Sequence, residues 1–233
     1  MRKLCPNCEE LLKVNERDPS LGWCNGCGWA GHLGLARRNP SPPAVTPNMP
    51  YLSIDIETTG LDPATCQILE IGAVWEDWTR PLEDLPTYRR LVIHDEYRGS
   101  AFALALNAGL LKQLSGERQP YFLDEDKVSD DMAEWLKAMC GWDGRTSLTP
   151  AGKNFASFDR QFLKRLPRFE KVVRLHHRTL DPAVLFWQME DEKLPDSKTC
   201  YERAGMDGKV AHTAVEDALA VVRLIRMGIK RLR

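Results

Sequence analysis

Between residues 39 and 50 the chain reads NPSPPAVTPNMP, with five prolines in twelve residues. Each proline lacks a backbone N–H and has a fixed φ, so the segment can join neither a helix interior nor a central strand. Such a stretch is a stiff, extended linker. Two units, one on either side of it, are the expectation. Before it lie about forty residues rich in Cys, Gly and Trp, and after it comes a regular succession of strand-like and helix-like segments. The 233 residues suffice for one sizeable core plus a small accessory module. The expected organisation is a module over residues 1–38, a linker over 39–50 and a principal domain over 51–233.

The first module is too small to bury an adequate apolar core, and its cysteines supply the alternative. Cys5-Pro-Asn-Cys8 and Cys24-Asn-Gly-Cys27 are separated by fifteen residues, a Cys-x2-Cys-x15-Cys-x2-Cys array suited to tetrahedral Zn²⁺ held by four thiolates. Gly22, Gly26 and Gly28 permit the tight turns that aim backbone amides at sulfur. Structural zinc contributes about 10–16 kcal/mol of apparent binding energy in comparable peptides, enough to decide folding. A single Zn²⁺ in a small ribbon is therefore expected. The other three of the seven cysteines, Cys66, Cys140 and Cys200, are scattered, which argues against a disulfide framework. Trp23, Trp29, Arg37 and Arg38 offer stacking and phosphate contacts to a nucleic acid. A ribbon of this kind can equally dock a partner protein or cap the domain.

The principal domain opens with YLSIDIE over 51–57, where Leu52, Ile54 and Ile56 alternate with Ser53, Asp55 and Glu57. That is the period of a strand, and it sends both carboxylates off one face. On this pattern alone the strand has one solvated face, or its two acids share a site. Further strands are expected over 70–76, 88–93 and 148–153. Val128, Met132, Trp135, Leu136 and Met139 recur at helical spacing. Residues 158–166 read as helix, as does the stretch from 213 to the C-terminus, with Val221, Ile225, Ile229 and Leu232 as its apolar stripe. Mixed strands and helices point to an α/β layered domain with a mixed sheet.

Composition excludes several classes. Apolar residues make up 43% and charged residues 28%, which fits neither a disordered nor a membrane-embedded chain. No apolar run approaches the roughly 18 residues of a membrane span. The N-terminus MRKLCPNCEELLK lacks the apolar core of a secretion signal, so a reducing, cytoplasmic setting is expected. The formal net charge is −1; any affinity for nucleic acid must come from local basic patches or from metal ions.

The segments SIDIETTGLDP and QILEIGAV, followed by Asn154-Phe-Ala-Ser-Phe158-Asp159 and by His212-Thr-Ala-Val-Glu-Asp217, resemble in order and spacing the motifs of the DEDD exonucleases in their histidine-bearing, DnaQ-like branch (DEDDh). The resemblance spans about 165 residues and implies a ribonuclease H-like mixed sheet flanked by helices, preceded here by the zinc ribbon. It implies 3′-to-5′ hydrolysis of DNA or RNA with release of nucleoside 5′-monophosphates. Two Mg²⁺ or Mn²⁺ ions, about 4 Å apart in such sites, supply the Lewis acidity. Asp55, Glu57, Asp159 and Asp217 would hold them, and His212 would act as general base, a role suited to an imidazole titrating near neutrality. Thr58 and Thr59 stand where the first motif contacts the terminal nucleotide; a turn fixed by Gly60 explains them equally well.

Other candidates weigh less. Phe155 and Phe158 flank a helix start and suit a core. Asp181, in Arg-Thr-Leu-Asp-Pro, resembles a recurrent Asp of oligoribonuclease-like members, although a helix N-cap followed by Pro accounts for it too. His176 and His177 share no ligand spacing with the acids. Arg223, Arg226, Lys230, Arg231 and Arg233 suit the C-terminal end of a helix. The expected partner is single-stranded or 3′-ended nucleic acid, with replication or repair proteins as further candidates and no membrane. The competing expectations are a non-catalytic nucleic-acid-binding or adaptor protein and an oligoribonuclease-like RNA-trimming enzyme.

Overall fold

A computed structural model describes residues 12–15, 20–25, 30–32, 49–206 and 213–231. The chain divides into two compact units, Met1–Pro47 and Asn48–Arg233.

In the first unit, β1 (Lys13–Val14), β2 (Leu21–Trp23) and β3 (Ala30–His32) form an antiparallel sheet in the order β1-β2-β3, with Gly22 opposite both Val14 and Gly31. Cys24 follows β2 directly and is buried. Trp23 is partly exposed, and its indole N–H donates to Asn25 Oδ1 at 3.0 Å. The zinc-ribbon residues Cys5, Cys8 and Cys27, like Trp29, Arg37 and Arg38, lie outside the described residues.

The second unit is a mixed five-stranded sheet flanked by helices. Its strands are β4 (Tyr51–Thr58), β5 (Ile68–Glu76), β6 (Thr87–Ile93), β7 (Phe122–Asp124) and β8 (Pro150–Ala151), in the order β7-β6-β5-β4-β8. The pairs β4–β5 and β5–β6 are antiparallel, while β6–β7 and β4–β8 are parallel. The alternation along β4 is present, but its polar set is not solvated. Leu52, Ile54 and Ile56 pack with Val128, Met132 and Leu136 of α3 (Val128–Cys140) and with Phe155, Phe162 and Leu163. Tyr51 and Val74, on the opposite face, pack with Val221, Val222 and Ile225 of α8 (Ala214–Arg231). With both faces covered, the strand is central and Ser53 is wholly buried.

Local chemistry sets the element ends. Helix α3 carries Asp130 and Asp131 in its first turn and stops at Gly141, whose φ of 68° is the left-handed conformation that glycine adopts without penalty. The strand expected over 148–153 shrinks to two residues. Pro150 has no N–H to contribute, and Gly152 turns its N–H to Leu180 O. The helix expected over 158–166 is α4 (Asp159–Leu163), continued by single turns to Leu166. Among the elements with no counterpart in the sequence reading are β7, α1 (Ala101–Leu106) and α2 (Ala108–Leu114), the last two being short helices that meet at Asn107. The remaining helices are α5 (Phe169–Val172), α6 (Ala183–Phe186) and α7 (Ser197–Ala204). Among the described residues no helix is long and apolar enough to cross a membrane, and no disulfide forms.

Helix α8 is pinned to the sheet by a buried ion pair. Glu76 is fully buried at the end of β5, and Arg226 reaches it with Nε at 2.7 Å and a terminal nitrogen at 2.5 Å. A bidentate guanidinium satisfies both carboxylate oxygens, which makes the buried charge tolerable. The Arg226→Leu variant leaves Glu76 buried without its partner and is expected to lose about 3–5 kcal/mol in urea-induced unfolding. The double variant Arg226→Leu/Glu76→Leu should recover most of that loss.

Candidate metal centre and active site

The site forms where the first turn of α8 meets the ends of β4 and β5. Asp55 and Glu57 share the β4 face that looks toward α8, with Asp55 opposite Gly72 and Glu57 opposite Glu70 on β5. Gly72 makes the approach of α8 possible. A Cβ there would lie 2.1 Å from the backbone of Ala214 and Val215, so helix and strand touch backbone to backbone. Glu70 is fully buried between them. One of its oxygens accepts the Ala214 N–H at 3.1 Å, and the other accepts Arg89 Nε at 2.5 Å. A carboxylate at a helix N-terminus satisfies an otherwise orphaned donor. Ser53 Oγ donates to Ala218 O at 2.8 Å, and the Thr213 hydroxyl accepts the Glu216 N–H at 3.4 Å while donating to the Glu216 carboxylate at 2.6 Å. The helix is thereby clamped with Asp217 in its first turn.

This clamp brings one oxygen each of Asp55, Glu57 and Asp217 within 4.8 Å of one another. Asp159 stands beside them in a different role. Strand β8 meets β4 only at Leu52 and Ser53, so the β4 edge has no strand neighbour at Ile56, and Asp159 Oδ1 accepts the Ile56 N–H at 3.2 Å. The segment leading to it turns at Asn154, whose φ is 55°. Asp181 holds that turn, one oxygen accepting Asn154 N–H at 3.1 Å and the other Ala183 N–H at 2.9 Å at the start of α6. Asp181 therefore ties the Asn154 turn to the head of α6.

Burial and mutual repulsion dominate the electrostatics. Burial raises the Asp55 carboxyl well above the usual carboxylate range, and the neighbouring Asp159, Asp217, Glu57 and Glu70 push it further. Burial also lifts Glu57 to about 7, with Asp217 and Glu70 adding to the rise and a hydrogen bond from Asn107 opposing it. Burial lifts Asp159 to about 7 as well, opposed by the backbone N–H groups it accepts. Side chains that resist ionisation together ionise readily around a divalent cation, and an all-oxygen donor set suits a hard one. The residues fit such an ion.

The Thr58-Thr59 turn closes one side. The Thr58 hydroxyl donates to Gly60 O at 2.7 Å; the Thr59 hydroxyl donates to Arg98 O at 2.5 Å and accepts Gln67 N–H at 2.8 Å. Both threonines are buried, and their hydroxyls serve the turn itself. Helix α1 is tied to this turn at both ends, by Ser100 N–H to Thr59 O and by Asn107 Nδ2 to Thr58 O, at 2.9 and 3.0 Å. Asn107 thus contacts both the turn and Glu57, a role absent from the sequence reading because two short helices leave no long periodic run. Leu61 at the turn's tip is 83% exposed, and Phe102 and Leu106 on α1 are 79% and 68% exposed. A cleft of about 540 Å³ lined by Asp55, Ile56, Leu61, Lys153, Asn154, Ser157, Phe158 and Asp159 opens onto the acids. A larger, polar hollow of about 690 Å³ between Gln67, His94 and Arg98 contains none of the four acids.

His212 lies outside the described residues. Phe155 is buried in the core, and Phe158 packs on Phe162 with ring centroids 5.2 Å apart. His176 and His177 stack on each other. Arg226, one of the C-terminal cations, is the partner of Glu76.

The architecture defines a class: a mixed, ribonuclease H-like sheet with a carboxylate cluster at the end of its central strand. No family model matches the sequence, and no curated protein matches it. Among solved structures, the chain is similar to Escherichia coli exonuclease I. The complex with a 5cy-dT13 oligonucleotide superposes with a TM-score of 0.53 at 14% identity, over 79% of this chain and 41% of that one. The zinc-bound form with single-stranded DNA gives 0.55 at 16% over 78% and 41%, and the product-bound structure 0.53 at 14% over 80% and 45%. This chain thus spans about two fifths of the length of those exonuclease I chains. At such identity the likeness establishes the fold.

Two outcomes follow from the site's geometry. Folded Glu57 and Asp159 keep their protons to about pH 7, whereas their ordinary values are 4.5 and 3.8. Between those limits the folded chain binds more protons than the unfolded one, so stability falls as pH rises. Without divalent ions, the loss from pH 4.5 to 7.5 should be on the order of 6 kcal/mol, or about 12–24 °C in Tm. Millimolar Mn²⁺ at pH 7.5 should restore it, as calorimetric scans would show. Separately, Gly72→Ala forces α8 off the sheet at an overpacking cost of about 1–3 kcal/mol. Titration calorimetry should show Mn²⁺ affinity reduced at least about tenfold, a loss of about 1.4 kcal/mol.

Proposed function

We propose that the protein is a metal-dependent 3′-to-5′ exonuclease that removes nucleoside 5′-monophosphates from single-stranded nucleic acid. The observation that carries this reading is the convergence of Asp55, Glu57 and Asp217 within 4.8 Å on an exonuclease I-like fold, with Asp159 against the same strand. The polarity comes from the motif resemblance. Single-stranded DNA is favoured as substrate because exonuclease I was captured with dT13, dA16 and single-stranded DNA.

In this reading Asp55, Glu57 and Asp217 hold divalent cations, Mg²⁺ or Mn²⁺, with Asp159 contributing through the oxygen not bonded to Ile56. Bound cations would supply charge neutralisation at the scissile phosphate and at the leaving oxyanion, and would favour ionisation of the attacking water. His212, five residues before Asp217, accepts the proton of that water. Exposed Leu61, Phe102 and Leu106, presented by the turn and by the helix tied to it, give apolar surface to the terminal bases. Thr58 and Thr59 shape this wall, and the terminal nucleotide lies against their turn. The first unit is proposed as a zinc ribbon, with Cys5, Cys8 and Cys27 joining buried Cys24 around one Zn²⁺ in a reducing cytoplasm, where it meets the nucleic acid or a replication or repair partner.

The test is hydrolysis of a 5′-labelled single-stranded oligonucleotide in Mg²⁺. The Asp55→Asn variant should lose roughly 10³-fold or more in kcat, equivalent to about 4 kcal/mol of barrier. Its Tm without metal should be unchanged or higher, since one repelling charge has gone. Activity retained in this variant would sink the site, and an inert parent chain would leave a binding or adaptor protein.

A further inference from the structure

The segment that continues from Asp159 departs from the charge balance of the chain. Residues 160–178 contain seven Lys and Arg, namely Arg160, Lys164, Arg165, Arg168, Lys171, Arg174 and Arg178, against the single acid Glu170, in a chain of formal net charge −1. Apart from Arg160 all of these cations are exposed. Few are neutralised: Lys164 faces Glu170 at 3.6 Å, Arg168 faces Asp130 at 3.0 Å, and Arg165 feels Asp62.

The fold also makes three of these cations converge. Arg160 and Lys164, one turn apart from the start of α4, line a cleft of about 160 Å³ together with Arg174, above Phe169, Val173 and Leu175. Glu170 stands at its edge. Arg160 is held in place beforehand, because its terminal nitrogens donate to His176 O at 2.7 Å and Leu175 O at 3.3 Å. A fixed guanidinium flanked by two more cations over an apolar floor is suited to a phosphodiester, and the ordering of Arg160 is already complete before any ligand arrives.

We infer that the surface of residues 160–178 is a second nucleic-acid contact, a phosphate-binding track that holds backbone away from the reacting end. It rests on the exonuclease reading for its place beside the site, since Arg160 directly follows Asp159 in α4. The shared chemistry is a polyphosphate backbone. Its source is either the upstream part of the strand being degraded or the complementary strand of a duplex.

The test measures binding and chemistry separately on the full chain. Anisotropy with Ca²⁺ in place of Mg²⁺ gives Kd for a labelled 20-nucleotide single strand, for a 5-nucleotide strand and for a duplex with a 3′ overhang, each over a range of KCl. The variant Lys164→Gln/Lys171→Gln/Arg174→Gln should weaken binding of the long ligands at least about tenfold. It should also reduce the slope of log K against log[salt] by about 2, as loss of three contacts at roughly 0.7 each requires. A loss on the 20-nucleotide strand but not on the 5-nucleotide one assigns the track to the upstream strand; a loss confined to the duplex assigns it to the complement. Hydrolysis of the p-nitrophenyl ester of thymidine 5′-monophosphate, which fills only the reacting end, should be unchanged.

The control Arg80→Gln/Lys112→Gln/Arg145→Gln removes the same charge elsewhere. Equal losses in the control, or unchanged Kd and slope in the first variant, would overturn the track. If the parent chain fails to hydrolyse ester and oligonucleotide while the binding losses appear, the exonuclease reading falls and the track stands.

Discussion

The structure depends on one contact, the seating of the α8 N-terminus on β5. Four carboxylates have to be gathered, and nothing in their own chemistry favours it. What offsets their repulsion is placed just outside the cluster: Gly72 admits the helix backbone, the Glu70 carboxylate accepts the Ala214 N–H, and Ser53 bonds Ala218 O. Glu70 is itself an acid and adds to the repulsion felt by Asp55 and Glu57. Its ion pair with Arg89 lets it remain buried without forcing the helix away. The sheet thus carries two of the three clustered carboxylates and the means of holding the third, Asp217, against them.

The same economy governs the second wall. The Thr58-Thr59 turn is held by its own hydroxyls and by α1, whose two ends bond to consecutive residues of the turn. The helix is thereby fixed relative to the acids while one face stays uncovered. Large apolar side chains left in water on a well-anchored element carry a desolvation gain for whatever apolar surface comes to cover them.

How much of this was legible in the sequence varies residue by residue. Asp55 and Glu57 could be read from a two-residue period because β4 is long and regular. Asp159 and Asp217 were visible only through motif order, since each is one acid near a helix start. Glu70 and Gly72 sat inside the quoted QILEIGAV segment, but a strand pattern shows burial and not what the strand is buried against. Asn107 was invisible because six- and seven-residue helices are too short to show a period. The burial of both sheet faces decides between a solvated side and a shared acid site, because alternation reports two environments and does not say that one of them is water. The contact of Asp159 with Ile56 N–H arises from the early end of β8, which is set by tertiary pairing.

The ion pair of Glu76 with Arg226 has a mechanical consequence. Arg226 lies nine residues beyond Asp217 on the same helix, a separation of about 13 Å at 1.5 Å per residue. The helix is thus fastened a second time about two thirds of the way along, with Asp217 in its first turn. Were the N-terminal seating to yield, a tilt of about 5° around Arg226 would carry Asp217 through roughly 1 Å, comparable with the tolerance of an oxygen ligand for a hard cation. The spacing of the three clustered carboxylates is therefore set partly by an ion pair that lies outside the cluster, further along the same helix.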